Sequence, residues 1–194
     1  MGYRTTDKLP SDVTRPEEHF GRLLTLPEMS HIAESEIRIE WLMRTHPDIK
    51  AGRRTLGMVT QPVVTGRLRD LFTFLLDSLF QNPADDEARE NPIDYLIILD
   101  DEWWIDASER DREALVFHEL NHLQPAFDKD GNQRFSRETG LPVVALVGHD
   151  VEEFAAVVRR YGAWSDDVRG FLAAAAEGEA NPAPPAGGDT APPW

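Results

Sequence analysis

The residues with the clearest chemical potential in this chain are His118-Glu119-Leu120-Asn121-His122, inside the run ALVFHELNHL. Two histidines four positions apart on a helix project from one face, about one turn apart, and can chelate one metal ion. The glutamate directly after the first histidine sits where it can take a proton from a water held by that metal. This is the H-E-x-x-H logic of zinc hydrolases, chiefly peptidases: the metal lowers the pKa of its water toward neutrality, and the glutamate serves as general base. The bland alternative is a helix whose histidines are merely exposed or bonded to the core. With 6 histidines in 194 residues, chance is a poor account of the pattern.

The elements needed to position these groups are legible around them. Ser108 is placed as the N-cap of a run free of Gly and Pro, ERDREALVFHELNHL, and Glu109 suits the positive end of its dipole. Val116, Leu120 and Leu123 recur at helical spacing and fall roughly opposite His118 and His122, so one face is available for the core while the other presents two imidazoles. Catalytic zinc takes a third protein ligand and leaves its fourth position to water. His149 is the one histidine after the motif, and it stands directly before a second expected helix in LVGHDVEEFAAVVRRYG. There Asp150 and Glu153 have capping-box spacing, and Val151, Phe154, Ala155 and Val158 form an apolar stripe. Glu152 and Glu153 compete with His149, because many H-E-x-x-H enzymes use a glutamate from a following helix. Glu153 already has a role as cap.

HELNHL followed by GHDVEEF resembles the SprT-like metalloproteases, and more closely the small metallopeptidases encoded by bacteriophages and prophages. The resemblance covers roughly Ile37 to Tyr161. It implies a zincin-like fold, His118, His122 and His149 as zinc ligands, and Glu119 as general base. The cysteine-rich zinc ribbon that often follows the SprT core is missing, as is a basic surface, so a DNA-repair role does not transfer.

Composition bounds the rest. Net charge is −15, from 35 acidic against 20 basic residues. Such a surface repels phosphate backbones and disfavours nucleic acid as a partner. Zero cysteines exclude disulfides, thiolate zinc sites and the zinc-deaminase signature. No apolar segment is long enough to span a membrane, and no signal-peptide core is visible, so the expected location is the cytoplasm of a bacterial host cell.

The order of elements predicts an α+β fold: a small mixed sheet, the H-E-x-x-H helix, and a second helix closing the metal site. Pro16 marks a helix start before EEHFGRLL, and Ile37, Ile39 and Trp41 alternate as a strand through about Met43. Gly52-Arg53-Arg54 reads as a turn before a strand from Thr55 to Val59. Arg67 to Phe80 reads as an amphipathic helix, followed by an acidic loop bounded by Pro83 and Pro92. Tyr95 to Leu99 reads as a continuous apolar strand; the resemblance to zincin-type enzymes implies that it borders the cleft and pairs with an extended substrate, with Trp103 and Trp104 either lining the cleft or closing the core. A further short strand is expected at Leu141 to Val147. DKDGN resembles the start of a calcium loop, but Thr139 falls where the bidentate glutamate belongs, and a turn is the better reading. Residues 1–176 are expected to form one domain. From Glu177, EGEANPAPPAGGDTAPPW reads as a disordered acidic tail in which only Trp194 has much to pack.

Two functions of different class fit these features. One is a zinc peptidase acting on protein or peptide substrates, with Tyr161, Arg159 and Arg160 as candidates by position for stabilising the oxyanion. The other is a non-catalytic, metal-stabilised interaction protein. Glu119 separates them, since a structural zinc site has no need of that glutamate and usually takes four protein ligands. Hydrolysis of peptidoglycan cross-links ranks lower, because an acidic surface suits an anionic cell wall poorly.

Overall fold

In the computed structural model, which describes residues 2–35, 37–50, 52–62, 80, 93–149, 158–159, 162–163 and 166–182, the elements alternate between helix and strand. They are β1 (Tyr3–Thr5), α1 (Pro16–Leu23), α2 (Ser30–Ala33), β2 (Ile39–Arg44), β3 (Asp48–Lys50), β4 (Arg53–Thr55), β5 (Gly57–Thr60), β6 (Tyr95–Asp100), α3 (Asp101–Asp106), α4 (Glu109–Asn121), β7 (Leu123–Pro125), β8 (Val144–Leu146) and α5 (Asp166–Ala180). The chain divides into two compact units, Met1–Leu146 and Val147–Trp194. That boundary falls inside the span expected as one domain.

The first unit is built on a four-stranded sheet in the order β1-β2-β6-β5. β2 and β6 run parallel, while β1 and β5 flank them antiparallel. All six residues of β6 are buried, as a strand covered on both faces requires. One face carries Leu42, Leu96 and Ile98, packed against Phe80 and Ile93. The register Trp41↔Ile97, Met43↔Leu99 and Val59↔Ile97 puts the alternate residues on the other face. There Phe20 of α1 meets Trp41, with ring centroids 5.8 Å apart, and α1 in turn packs along α4. Ile97 and Leu99 are fully buried, each contributing roughly 2 kcal/mol by its removal from water.

Several expectations need correction. β6 has neighbours on both sides, so its backbone groups are already used in the sheet and Tyr95–Leu99 cannot pair with a substrate. The single strand expected from Thr55 to Val59 is two: β4 turns back on β3 around Gly52 (φ 77°), and β5 joins the main sheet. Trp103 and Trp104 lie in α3, a short helix that the apolar pattern alone did not reveal. The expected strand at Leu141–Val147 shortens to β8, paired antiparallel with β7. Between these two strands, the Asp128 carboxylate accepts from the backbone N–H of Asp130 (2.8 Å) and Asn132 (2.9 Å), making DKDGN a turn.

In the second unit, α5 continues past Ala176 to Ala180. The remaining tail residues, 183–194, lie outside the described residues, as do most of the Arg67–Phe80 helix and the segment 150–157.

Asp100 ties the C-terminal end of the central strand to its surroundings. It is fully buried, it caps α3 by accepting from Trp103 N–H (3.2 Å), and it receives the Arg54 Nε–H at 2.9 Å. Buried Arg44 lies 3.6 Å away, and its guanidinium also donates to the Thr55 carbonyl. Burial alone would raise the Asp100 carboxyl, but hydrogen bonds from Arg54 and Trp103 outweigh it and hold the carboxyl below the usual carboxylate range. A carboxyl with a depressed folded-state pKa contributes stability above its unfolded value of about 4, and that contribution is lost as pH falls through the lower folded value. Asp100→Asn, which takes from buried Arg44 the nearer of two carboxylates (Asp48 lies 3.8 Å from it) and from Arg54 its hydrogen-bonded partner, is therefore expected to lower unfolding stability by about 3 kcal/mol at neutral pH. It should also remove part of the acid sensitivity below about pH 4. Urea unfolding of both proteins across pH checks this; equal stabilities at pH 7 would contradict it.

Candidate metal centre

The helix carrying the histidine pair is fixed at both ends. At its start, Ser108 Oγ accepts from Asp111 N–H at 3.2 Å, as its cap position predicts. One turn on, Arg112 points into the interior and is only 7% exposed. Its Nε donates to the Trp104 carbonyl at 2.8 Å and its Nη2 to the Ile105 carbonyl at 2.9 Å. These carbonyls belong to the last residues of α3, whose acceptors have no partners within so short a helix. Arg112 thereby clamps α3 to α4 and offsets the cost of its own burial. Trp104 is completely buried against the edge of the His19 ring (5.7 Å), and its indole N–H donates to the Thr14 carbonyl at 3.0 Å. Of the two roles open to it, Trp104 fills the core one.

His19 is likewise enclosed. Its Nδ1 accepts from Arg22 at 2.7 Å, and its Nε2 faces Glu109 at 3.4 Å. Burial, and then the Arg22 charge, hold its pKa below the ordinary histidine value.

At the other end, His122 is the C-cap of α4, and its backbone N–H donates to the Glu119 carbonyl at 3.2 Å. Leu123, the next residue, is fully buried and opens β7. Its carbonyl accepts from His31 Nε2 at 2.7 Å, which ties α2 to the backbone one residue beyond His122. Neither Arg112 nor His31 stands out in the sequence as a positioning group. Arg112 had a signal, since it falls four residues before Val116 on the apolar stripe; His31 had none, because its partner is a backbone atom 92 residues away.

Between these anchors the motif residues separate by environment. His118 is exposed and His122 half-buried, with ring centroids 5.2 Å apart and planes nearly perpendicular (86°). This is the one-turn spacing that lets two imidazoles share an ion. Glu119 turns inward and is 2% exposed, beside fully buried Leu120. Burial pushes its carboxyl up to about 7. Strongly perturbed carboxyls in such positions cluster at functional sites.

His149 belongs to the second unit, three residues beyond the end of β8, and is exposed. Arg159 is helical and exposed; Glu152, Glu153, Arg160 and Tyr161 lie outside the described residues. No helix among the described residues is long and apolar enough to cross a membrane.

A family profile described as "Putative phage metallopeptidase" matches residues 13–176, well over half of the 194-residue chain. No curated protein and no solved structure matches the chain.

A ligand that binds only the folded protein stabilises it by mass action, by about 2.7 kcal/mol at a hundredfold excess over its dissociation constant. Saturating divalent zinc is accordingly expected to raise the melting temperature by several degrees, and His118→Ala or His122→Ala should abolish that rise. Calorimetry with and without the metal reads the result, and an equal rise in all three proteins would exclude this pair as ligands.

Proposed function

The chain belongs to the phage metallopeptidase family, and on that premise we propose that it is a zinc-dependent peptidase in which His118, His122 and His149 hold the metal and Glu119 is the general base. The observation that carries the reading is the buried Glu119 beside the imidazole pair on α4. A site that used metal only to order the fold would have no reason to bury a carboxylate there.

The donor set suits the metal. Three imidazoles, each offering one ring nitrogen, are a recurrent ligand set for catalytic zinc, and the absence of cysteine leaves no thiolate to compete. When bound, zinc would polarise the scissile carbonyl and make a nearby water a nucleophile near neutral pH. The remaining work falls to the chain. Glu119, held in a low-dielectric position, takes a proton from the attacking water as the carbon–oxygen bond forms and delivers it to the departing amine nitrogen as the peptide C–N bond breaks. Arg112 and His31 keep α4, and hence the carboxylate, from shifting during that exchange. β5 is one of the two edges of the main sheet among the described residues, and it packs against α4. An extended peptide adding to that edge would gain affinity through backbone hydrogen bonds with little sequence preference. This role replaces the one first expected of Tyr95–Leu99.

Two experiments test the assignment. Glu119→Gln keeps shape but cannot accept the proton, so turnover is expected to fall by at least about a hundredfold while zinc content and fold persist. Full activity in a purified, zinc-loaded variant would rule out the mechanism. His149→Ala is expected to weaken zinc binding strongly, because two ligands lose much of the chelate, whereas Glu152→Ala should leave it intact. The reverse pattern in metal analysis would move the third ligand to the glutamate.

A further inference from the structure

Gly57 opens β5, and the register Gly57↔Leu99 places it on the same sheet face as Val59, Ile97 and Leu99. A Cβ built on Gly57 would lie 2.6 Å from Glu119 Cδ and 3.0 Å from its Cγ, with Oε1 closer still. Real side chains do not approach so closely, so the carboxylate of Glu119 occupies the space that any other residue at position 57 would need.

The usual reason for a glycine is absent here. Among the described residues the glycines with positive φ are Gly52, Gly131, Gly140 and Gly162; Gly57 is not one of them, and any residue could adopt its backbone conformation. What position 57 requires is room.

Neither partner can retreat freely. The strand is held by its ladder to β6, and just before it the Leu56 carbonyl accepts from Asp100 N–H at 2.8 Å. Asp100 is itself locked by Arg54 and by Trp103. On the other side, Glu119 stands on a helix turn whose Val116 and Leu120 are fully buried. What remains movable is the Glu119 side chain itself.

We propose that Gly57 is a positioning residue: its missing side chain seats the Glu119 carboxylate against the edge strand, and a side chain there would push that carboxylate out of its working position. The assignment of a catalytic purpose to this seat rests on Glu119 as general base, whereas the seat itself does not.

The test is a cycle of Gly57→Ala and Glu119→Ala, singly and together, in the full-length zinc-loaded protein. Gly57→Ala alone is expected to lower the melting temperature by a few degrees. In the Glu119→Ala background, where the carboxylate no longer fills the space, the same change should cost nothing or raise the melting temperature slightly, as glycine replacement does at an unstrained site. Peptide turnover by Gly57→Ala should fall at least tenfold in kcat, with KM and bound zinc unchanged, because the carboxylate rather than the substrate contacts has moved. An equal melting-temperature loss in both backgrounds would overturn the seat. Coupled melting temperatures with kcat within twofold of an active parent would overturn the positioning role. If the parent cleaves no peptide, the peptidase reading fails separately, and the melting-temperature cycle still decides whether Glu119 is seated on Gly57.

Discussion

The arrangement turns on one constraint: a carboxylate must be kept out of water, beside two imidazoles, between a helix and a strand. Burying a group of this kind is expensive when it carries charge, so its surroundings have to be rigid enough that it cannot drift back to solvent. Glu119 shares the inner face of α4 with Arg112, Val116 and Leu120, and that face is therefore not uniformly apolar. The two charged residues differ in kind. Arg112 is satisfied by the carbonyls of Trp104 and Ile105, and its burial is structural. Glu119 has its carboxyl raised by burial, and its burial is the feature on which the proposed general-base role rests.

Around this point the polar interior works as a set of braces. Arg112 joins α3 to α4, the Trp104 indole reaches back to Thr14, and His31 grips the backbone just past His122. At the end of the central strand, Asp100 gathers Arg54, Arg44 and the start of α3. Each brace ends on a backbone group or on an opposite charge, so few degrees of freedom remain at the helix that presents the histidines. This suits a histidine pair and a glutamate that come from one short stretch of sequence but whose geometry depends on residues far from it.

Much of this was legible in the chain itself. The histidine pair, the Ser108 cap, the Pro16 helix start and the buried run of β6 each declare themselves through local periodicity or a single residue type. What escaped was non-local. That β6 lies inside the sheet, with β5 taking the edge, follows from pairing between residues about 40 apart, which no local pattern encodes. The helix α3 was hidden because it is short and capped by Asp100, a residue that reads equally well as the end of a strand. Gly57 carries no signal in isolation, since the need for a missing side chain depends on what stands opposite. The inward turn of Glu119, by contrast, could have been anticipated: it lies three residues after Val116 and one before Leu120, on the stripe that faces the core.

The parallel pairing of β2 with β6 has a consequence for how the molecule comes together. These strands are separated by fifty residues, 45 to 94, and cannot be joined by a tight turn. Bringing them together must meet a loop-closure entropy of about 3.5 kcal/mol before any ladder bond compensates. α4 is a local element that can form early, but the β5 wall it leans on takes its place only once β6 has been captured. The histidine pair can therefore stand on a loose helix before Glu119 is enclosed against β5. High contact order of this kind slows folding, and the enclosure of Glu119 depends on that non-local pairing whereas the histidine pair needs α4 alone.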